Sequence, residues 1–305
     1  MRNLLSLRYG RYSLLKVMRL CSILLVSGFL PLQAGERPDQ TEFERPIMMD
    51  SNGPGSQLFV LDEGETLHEF RVTASSLEEY RSISLPPMLT AADMSYSMEG
   101  GQESVLVAGT EKNRGIVARY ALDGRQLQRW TFRNICSGID SGSASHTAYV
   151  ATSDSNEIYR VDLQGTESTF VARISTAMKL GPLAFDEAGQ KIYVADVAAG
   201  AIYQYSLATK SAKVLVAKLS TPNALSYDAE TGRLYIADPG RRAILTVDTR
   251  ASKPIANEFV SSPLKSPYGM ALLSGDRVAV ADYGAYSVFV FSNKGGLLFR
   301  FSPNR

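Results

Sequence analysis

Four aspartates are the first candidates for chemistry. Asp62, Asp196, Asp238 and Asp282 each end a short apolar run, and each is followed five or six residues later by Leu67, Ile202, Ile244 or Val288. Carboxylates that converge can hold a divalent cation or activate a water. Their recurrence at the end of one strand in copy after copy predicts another role, capping turns by accepting backbone N–H groups. His68 and His146 are the two histidines. They are too few for a zinc cluster, neither aligns with the central face where a triad base would have to stand, and two scattered histidines are expected at the surface. Cys136 reads as a packed small hydrophobe, because no histidine is placed to activate its thiol.

The aspartates imply the elements that must carry them. Equivalent positions are 62, 109, 152, 196, 238 and 282, with Gly109 and Thr152 at the two that lack a carboxylate. They lie 47, 43, 44, 42 and 44 residues apart, a repeat signature that accounts for nearly all of residues 46–305. Each unit contains four strand candidates. Around Asp196 they are 183–185, 192–195, 202–207 and 213–217, with a turn at Glu187-Ala188-Gly189. One helical turn is expected within 75–80.

The second strand is apolar on both sides, Ile192 and Val194 on one and Tyr193 and Ala195 on the other. Such a strand needs cover on both faces, whereas a sandwich strand with a wet face would alternate. Blades stacked around an axis supply that cover. The expected fold is therefore all-β, a six-bladed β-propeller of four-stranded antiparallel blades. Residues 297–301 supply an outer strand for the last blade, so no strand borrowed from the N-terminus is required.

In such blades the loop before strand one and the loop after strand two share a face around the central channel. Alignment on the six anchors puts Asp93, Ser137, Gly181, Asn223 and Tyr268 at equivalent places there, with the first unit's counterpart near Ile47. Loops after strand two add Asp154, Asn156, Arg241, Arg242, Tyr283 and Tyr286. The candidate ligand-binding set is Asp93, Ser137, Asn223, Arg241, Tyr268 and Tyr283, a mixture suited to a small polar ligand. The alternative is that these groups only cap strands and hold water. No catalytic residue is assigned.

Residues 1–34 combine Arg2, Arg8, Arg11, Lys16 and Arg19 with an apolar run over 20–32 and Ala34 at its end. That is the pattern of a secretory signal, with Met1 or Met18 as its start, and it predicts a secreted or periplasmic protein. An uncleaved anchor is the alternative, although the run is shorter than the roughly 20 residues of a span. Residues 35–45 are a polar lead-in. Removing residues 1–34 leaves 27 basic residues against 31 acids, a net charge of −4. No basic block remains, so nucleic acid is not an expected partner. Cys136 is then the one cysteine left, and no internal disulfide can form.

Pro222-Asn223-Ala224 with residues 234–238 and Ile244, and Pro267-Tyr268-Gly269 with residues 278–282, resemble the NHL repeat. They are similar as well to the six-bladed propellers of the gluconolactonase and strictosidine-synthase-like group. The resemblance covers residues 46–305, is sharpest from 137 onward, and is specific for fold rather than activity. In gluconolactonase-type propellers it implies a channel cation held by a Glu, two Asn and an Asp. Asn223 falls at one such Asn. Tyr268 stands where the Asp belongs, the first unit offers no obvious Glu at the ligand position, and Asp93 is the one carboxylate placed on the ring. Two ligands are too few for a calcium site of 6–8 oxygens, so no cofactor is expected. The zinc-binding histidines of NHL-type peptide-amidating lyases have no counterparts.

The expected function is an exported, monomeric binding module for a protein, peptide or envelope polysaccharide. The alternative is a metal-dependent hydrolase resembling gluconolactonase, with a divalent cation such as Ca2+ near Asp93 and Asn223. A third option is a subunit of an envelope assembly.

Overall fold

The computed structural model describes residues 43–52, 57–86, 90–142 and 144–302. The expected signal segment and residues 35–42 of the lead-in lie outside the described residues. Every regular element among those described is a strand. Blade 1 comprises β1 (Pro46–Ser51), β2 (Gln57–Asp62), β3 (Thr66–Val72) and β4 (Leu77–Ser84). Blade 2 comprises β5 (Thr90–Glu99), β6 (Gln102–Glu111), β7 (Arg114–Ala121) and β8 (Gln126–Phe132). Blade 3 follows with β9 (Cys136–Ser141), β10 (Thr147–Thr152), β11 (Glu157–Asp162) and β12 (Ser168–Arg173). Blade 4 is β13 (Leu180–Asp186), β14 (Lys191–Asp196), β15 (Ala201–Ser206) and β16 (Ser211–Val216). Blade 5 is β17 (Ala224–Asp228), β18 (Arg233–Asp238), β19 (Ala243–Asp248) and β20 (Asn257–Val260). Blade 6 is β21 (Pro267–Leu273), β22 (Arg277–Asp282), β23 (Ser287–Phe291) and β24 (Leu297–Phe301).

Within each blade the strands hydrogen-bond in chain order and antiparallel, so each blade is a meander and the fold is a six-bladed propeller. The helical turn expected at 75–80 does not form. Thr73 Oγ1 accepts the Ser76 N–H at 2.9 Å and closes a bend, after which Leu77 to Ser84 extends beside β3.

The doubly apolar second strands are explained by packing. Ile192 and Val194 of β14 join a cluster with Tyr149 and Ile158 of blade 3. Tyr193 and Ala195 join one with Leu234 and Ile236 of blade 5. All four are fully buried, at about 1.5–3 kcal/mol for each large aliphatic side chain. Equivalent clusters lie between every other neighbouring pair of blades, including blades 6 and 1.

The recurring aspartates tie elements together. Asp196 accepts N–H bonds from Met178 (2.7 Å), Lys179 (3.1 Å) and Ala199 (3.1 Å). Asp282 accepts from Lys265, Ser266 and Ala285, and Asp238 from Ser220 and Thr221. Asp62 accepts from Glu44 and Thr66. Each carboxylate is fully buried and holds the incoming chain as well as its own turn. At Gly109 no carboxylate could fit, because a Cβ there would stand 2.5 Å from the Thr90 carbonyl oxygen.

A second expectation is overturned. His68 is fully buried, its Nε2 3.0 Å from Asp62 Oδ2 and its Nδ1 2.6 Å from Glu79 Oε1. A histidine is tolerated inside blade 1 because a carboxylate faces each ring nitrogen. His146 is half-exposed beside Glu99. Cys136 is buried and free, and burial pushes its thiol pKa up.

Candidate functional site in the central channel

The first strand of each blade lines the propeller axis, and together they enclose a cavity of about 1000 Å³. Its walls differ in chemistry. Blades 1 to 3 present Asp50, Asp93 and Asp140 with Ser95. Blades 4 to 6 present mainly apolar and aromatic groups, among them Phe185, Leu225, Tyr227, Tyr268 and Met270. No Lys, Arg or His stands among the described residues of the wall.

The three aspartates bridge blades. Asp50 Oδ2 accepts the Tyr96 N–H at 2.7 Å, Asp93 Oδ2 accepts that of Ile139 at 3.0 Å, and Asp140 Oδ2 accepts that of Phe185 at 2.7 Å. Each therefore reaches from its own first strand to the first strand of the next blade. Their other oxygens take the N–H of Ser51, Met94 and Ser141. Strand register places Asp50, Ser95 and Asp140 at one level, opposite Phe59, Leu106 and Tyr149 of the second strands. Asp93 stands two residues away along β5. Ser95 Oγ lies 3.3 Å from Asp140 Oδ1 and 3.1 Å from Ser141 Oγ.

These carboxyls are partly exposed, but to an enclosed channel rather than to bulk water. Loss of solvation raises the pKa of Asp50 to about 6, against the N–H bonds that lower it. Desolvation and the charge of Asp50 raise that of Asp140 to about 7. Asp93 is held well above the usual carboxylate range by desolvation, with repulsion from Asp140 and Asp50 adding to it. Each carboxyl is thus shifted toward its protonated form relative to an ordinary aspartate.

Of the residues expected from sequence, Asp93, Asn223 and Tyr268 line the cavity. Asn223 Nδ2 donates to the Tyr268 carbonyl oxygen at 3.2 Å, and the Tyr268 ring lies 5.1 Å from that of Tyr283. Ser137, Arg241 and Tyr283 lie outside its wall. Ser137 Oγ donates to the Leu180 carbonyl at 3.0 Å, and Arg241 donates to the Lys218 carbonyl. Tyr283 OH accepts from Arg45 Nη1 at 2.6 Å and donates to Glu63 at 3.2 Å. Among the other loop candidates, Asp154 accepts the Ile135 N–H, and Asn156 bridges Ala177 and Leu180. Arg242 and Tyr286 sit at turn positions with φ of 55° and 53°.

Asp50 and Asp140 are not among the residues expected from sequence, because they lie within first strands β1 and β9 rather than in the loops that flank them. Carrying the anchor alignment into the first strand would have found them, both twelve residues before an anchor. Among the described residues no group of three or more His, Cys, Asp and Glu is placed to hold a metal ion.

No protein-family model matches the sequence, and no curated protein matches it. Solved structures do. A chain in a crystal structure of the nidogen/laminin complex is 15% identical with a TM-score of 0.66, over 81% of this chain and 93% of that one. A structural-genomics protein of unknown function from Bacteroides thetaiotaomicron is 12% identical with a TM-score of 0.62, over 80% and 68%. Virginiamycin B lyase from Staphylococcus aureus is 12% identical with a TM-score of 0.60, over 87% and 86%. At such identity the likeness bears on fold alone: the chain is a six-bladed β-propeller whose first strands enclose an acid-walled channel.

Proposed function

We propose that this chain is an exported binding module of NHL type, whose ligand inserts a cationic, partly apolar group into the central channel. The observation that carries the reading is a cavity of about 1000 Å³ with three aspartates on one wall, mainly apolar and aromatic groups with Glu187 on the other, and no base among its described residues. A lysine or arginine side chain of a peptide or protein suits it, since its stem is apolar and its head charged. That one structural neighbour comes from a nidogen/laminin complex is compatible with a protein partner.

Binding of the cation would shift the carboxyls toward ionisation, so affinity should rise with pH and protons should be released. The test is calorimetric titration of the mature chain with an arginine-bearing pentapeptide from pH 5 to 8, in buffers of differing ionisation enthalpy. Proton release and about a tenfold loss of affinity in Asp140→Asn are expected. No binding at millimolar peptide overturns the reading. Stoichiometric Ca2+ or Zn2+ binding that disappears in Asn223→Ala also overturns it, in favour of the metal-dependent hydrolase.

A further inference from the structure

The alternation of strand direction sends two sets of loops to the channel face, those before strand one and those between strands two and three. In blades 4, 5 and 6 these loops are residues 174–179, 197–200, 217–223, 239–242, 261–266 and 283–286. Their 31 residues contain Lys179, Lys218, Arg241, Arg242 and Lys265 and neither an Asp nor a Glu. All five basic residues are exposed. Arg241 lies 3.5 Å from buried Asp238, while the other four make no ion pair among the described residues. The corresponding loops of blades 1 to 3 mix signs, with Glu44, Glu63, Glu65 and Asp154 beside Arg45, Lys112 and Arg133.

The backbone under this crescent is held from below. Lys179 and Lys265 give their N–H groups to Asp196 and Asp282, and Thr221 gives its own to Asp238. Backbone fixed in this way at Lys179, Thr221 and Lys265 lowers the entropic cost of association. Met178 stands among them, 70% exposed, its backbone N–H fixed to Asp196 at 2.7 Å. An exposed methionine among cations is an adaptable apolar contact for a protein surface.

We propose that the loops of blades 4 to 6 on the channel face form a docking surface for an acidic segment of a partner protein. Charge complementarity selects the partner, and the loop set matches the roughly 20–30 residues of a standard protein interface. The proposal rests on the reading of this face as the binding face. It does not depend on what enters the channel.

The test uses a fluorescent twelve-residue Glu-rich peptide at low salt, with a lysine-rich peptide and an oligouronate as comparison probes. The Glu-rich peptide is expected to bind, weakening about tenfold or more as salt is raised to 0.2 M. Combined Lys179→Glu, Lys218→Glu, Arg242→Glu and Lys265→Glu should abolish that binding. Lys210→Glu, Lys253→Glu and Lys294→Glu, exposed on the opposite face, should leave it intact. Should the fourfold variant not fold, Lys218→Glu and Lys265→Glu singly are each expected to cost two- to threefold.

Absence of peptide binding overturns the proposal, as does equal loss from the opposite-face variants. Saturable oligouronate binding without peptide binding overturns it in favour of an anionic glycan. Asp140→Asn should not affect the Glu-rich peptide. Absence of arginine-peptide binding in the parent protein, with Glu-rich peptide binding retained, would therefore strike the channel reading and leave the crescent standing.

Discussion

Asp50, Asp93 and Asp140 show at the scale of single residues how position changes a carboxyl. Anchor and channel aspartates alike accept two or three backbone N–H bonds apiece, but the channel set also shares a cavity with like charges. Raised folded pKa values mean that the native protein keeps protons that the unfolded chain gives up. Their contribution is therefore destabilising as pH rises from about 4, the unfolded value, through about 7. His68 acts in the same direction. Burial opposes its charge, but hydrogen bonds that its ring N–H groups donate to Asp62 and Glu79 outweigh that and raise its pKa, so its stabilisation fades as pH rises through the folded value. The protein should be more stable near pH 5 than near pH 8. Asp140→Asn should remove on the order of 1–3 kcal/mol of that decline by urea unfolding. An unchanged slope in the variant would show that Asp140 titrates normally.

At the scale of elements, the working unit is a second strand plus the loop that enters its blade. Asp238 ends β18 and takes the Ser220, Thr221 and Arg241 N–H groups. Asp238→Ala removes the acceptor for all three and should cost about 2–4 kcal/mol. It should also loosen residues 217–223, read as faster amide exchange at Ser220 and Thr221 than in the parent. Asp238→Asn, which keeps one acceptor oxygen, should fall between the two. Equal exchange in parent and Asp238→Ala would mean that the loop is held by something else. The role of these aspartates was legible in the sequence, since only a structural need recurs at one strand end. The chemistry of Asp50 and Asp140 was not, because each bonds to the blade after its own, and no local pattern records which strand lies alongside.

At the scale of the whole molecule the ring must close. β1 of blade 1 packs on β21 of blade 6, where a Cβ at Gly269 would stand 2.9 Å from the Ile47 carbonyl oxygen. Across this seam run the last residues of the lead-in. The Phe43 ring lies 6.1 Å from that of Phe70 and 5.4 Å from that of Phe301, and Arg45 sits over Tyr283 and Tyr286 at 4.7 and 4.5 Å. Blade 6 already has its own outer strand, so this segment clasps the seam rather than completing a sheet. Phe43→Ala should cost about 2–4 kcal/mol and raise amide exchange in β24 more than in β16. Uniform exchange across both strands would argue against a clasp at this seam.

The sequence by itself determined the blades. A 44-residue period and strands apolar on both faces admit few other ways of burying so much surface, and that information is local to each repeat. Only the tertiary structure decided what the blades enclose and display. Three aspartates from separate repeats come to one wall of the channel, and basic residues scattered between Lys179 and Lys265 fall in loops at one end of blades 4 to 6. His68 moved from an expected surface position to the interior of blade 1 because Asp62 and Glu79 of the same blade face its two ring nitrogens. Whether a polar residue is buried, paired or exposed depends on neighbours brought in by the turn of the ring, and chain separation does not encode that distance.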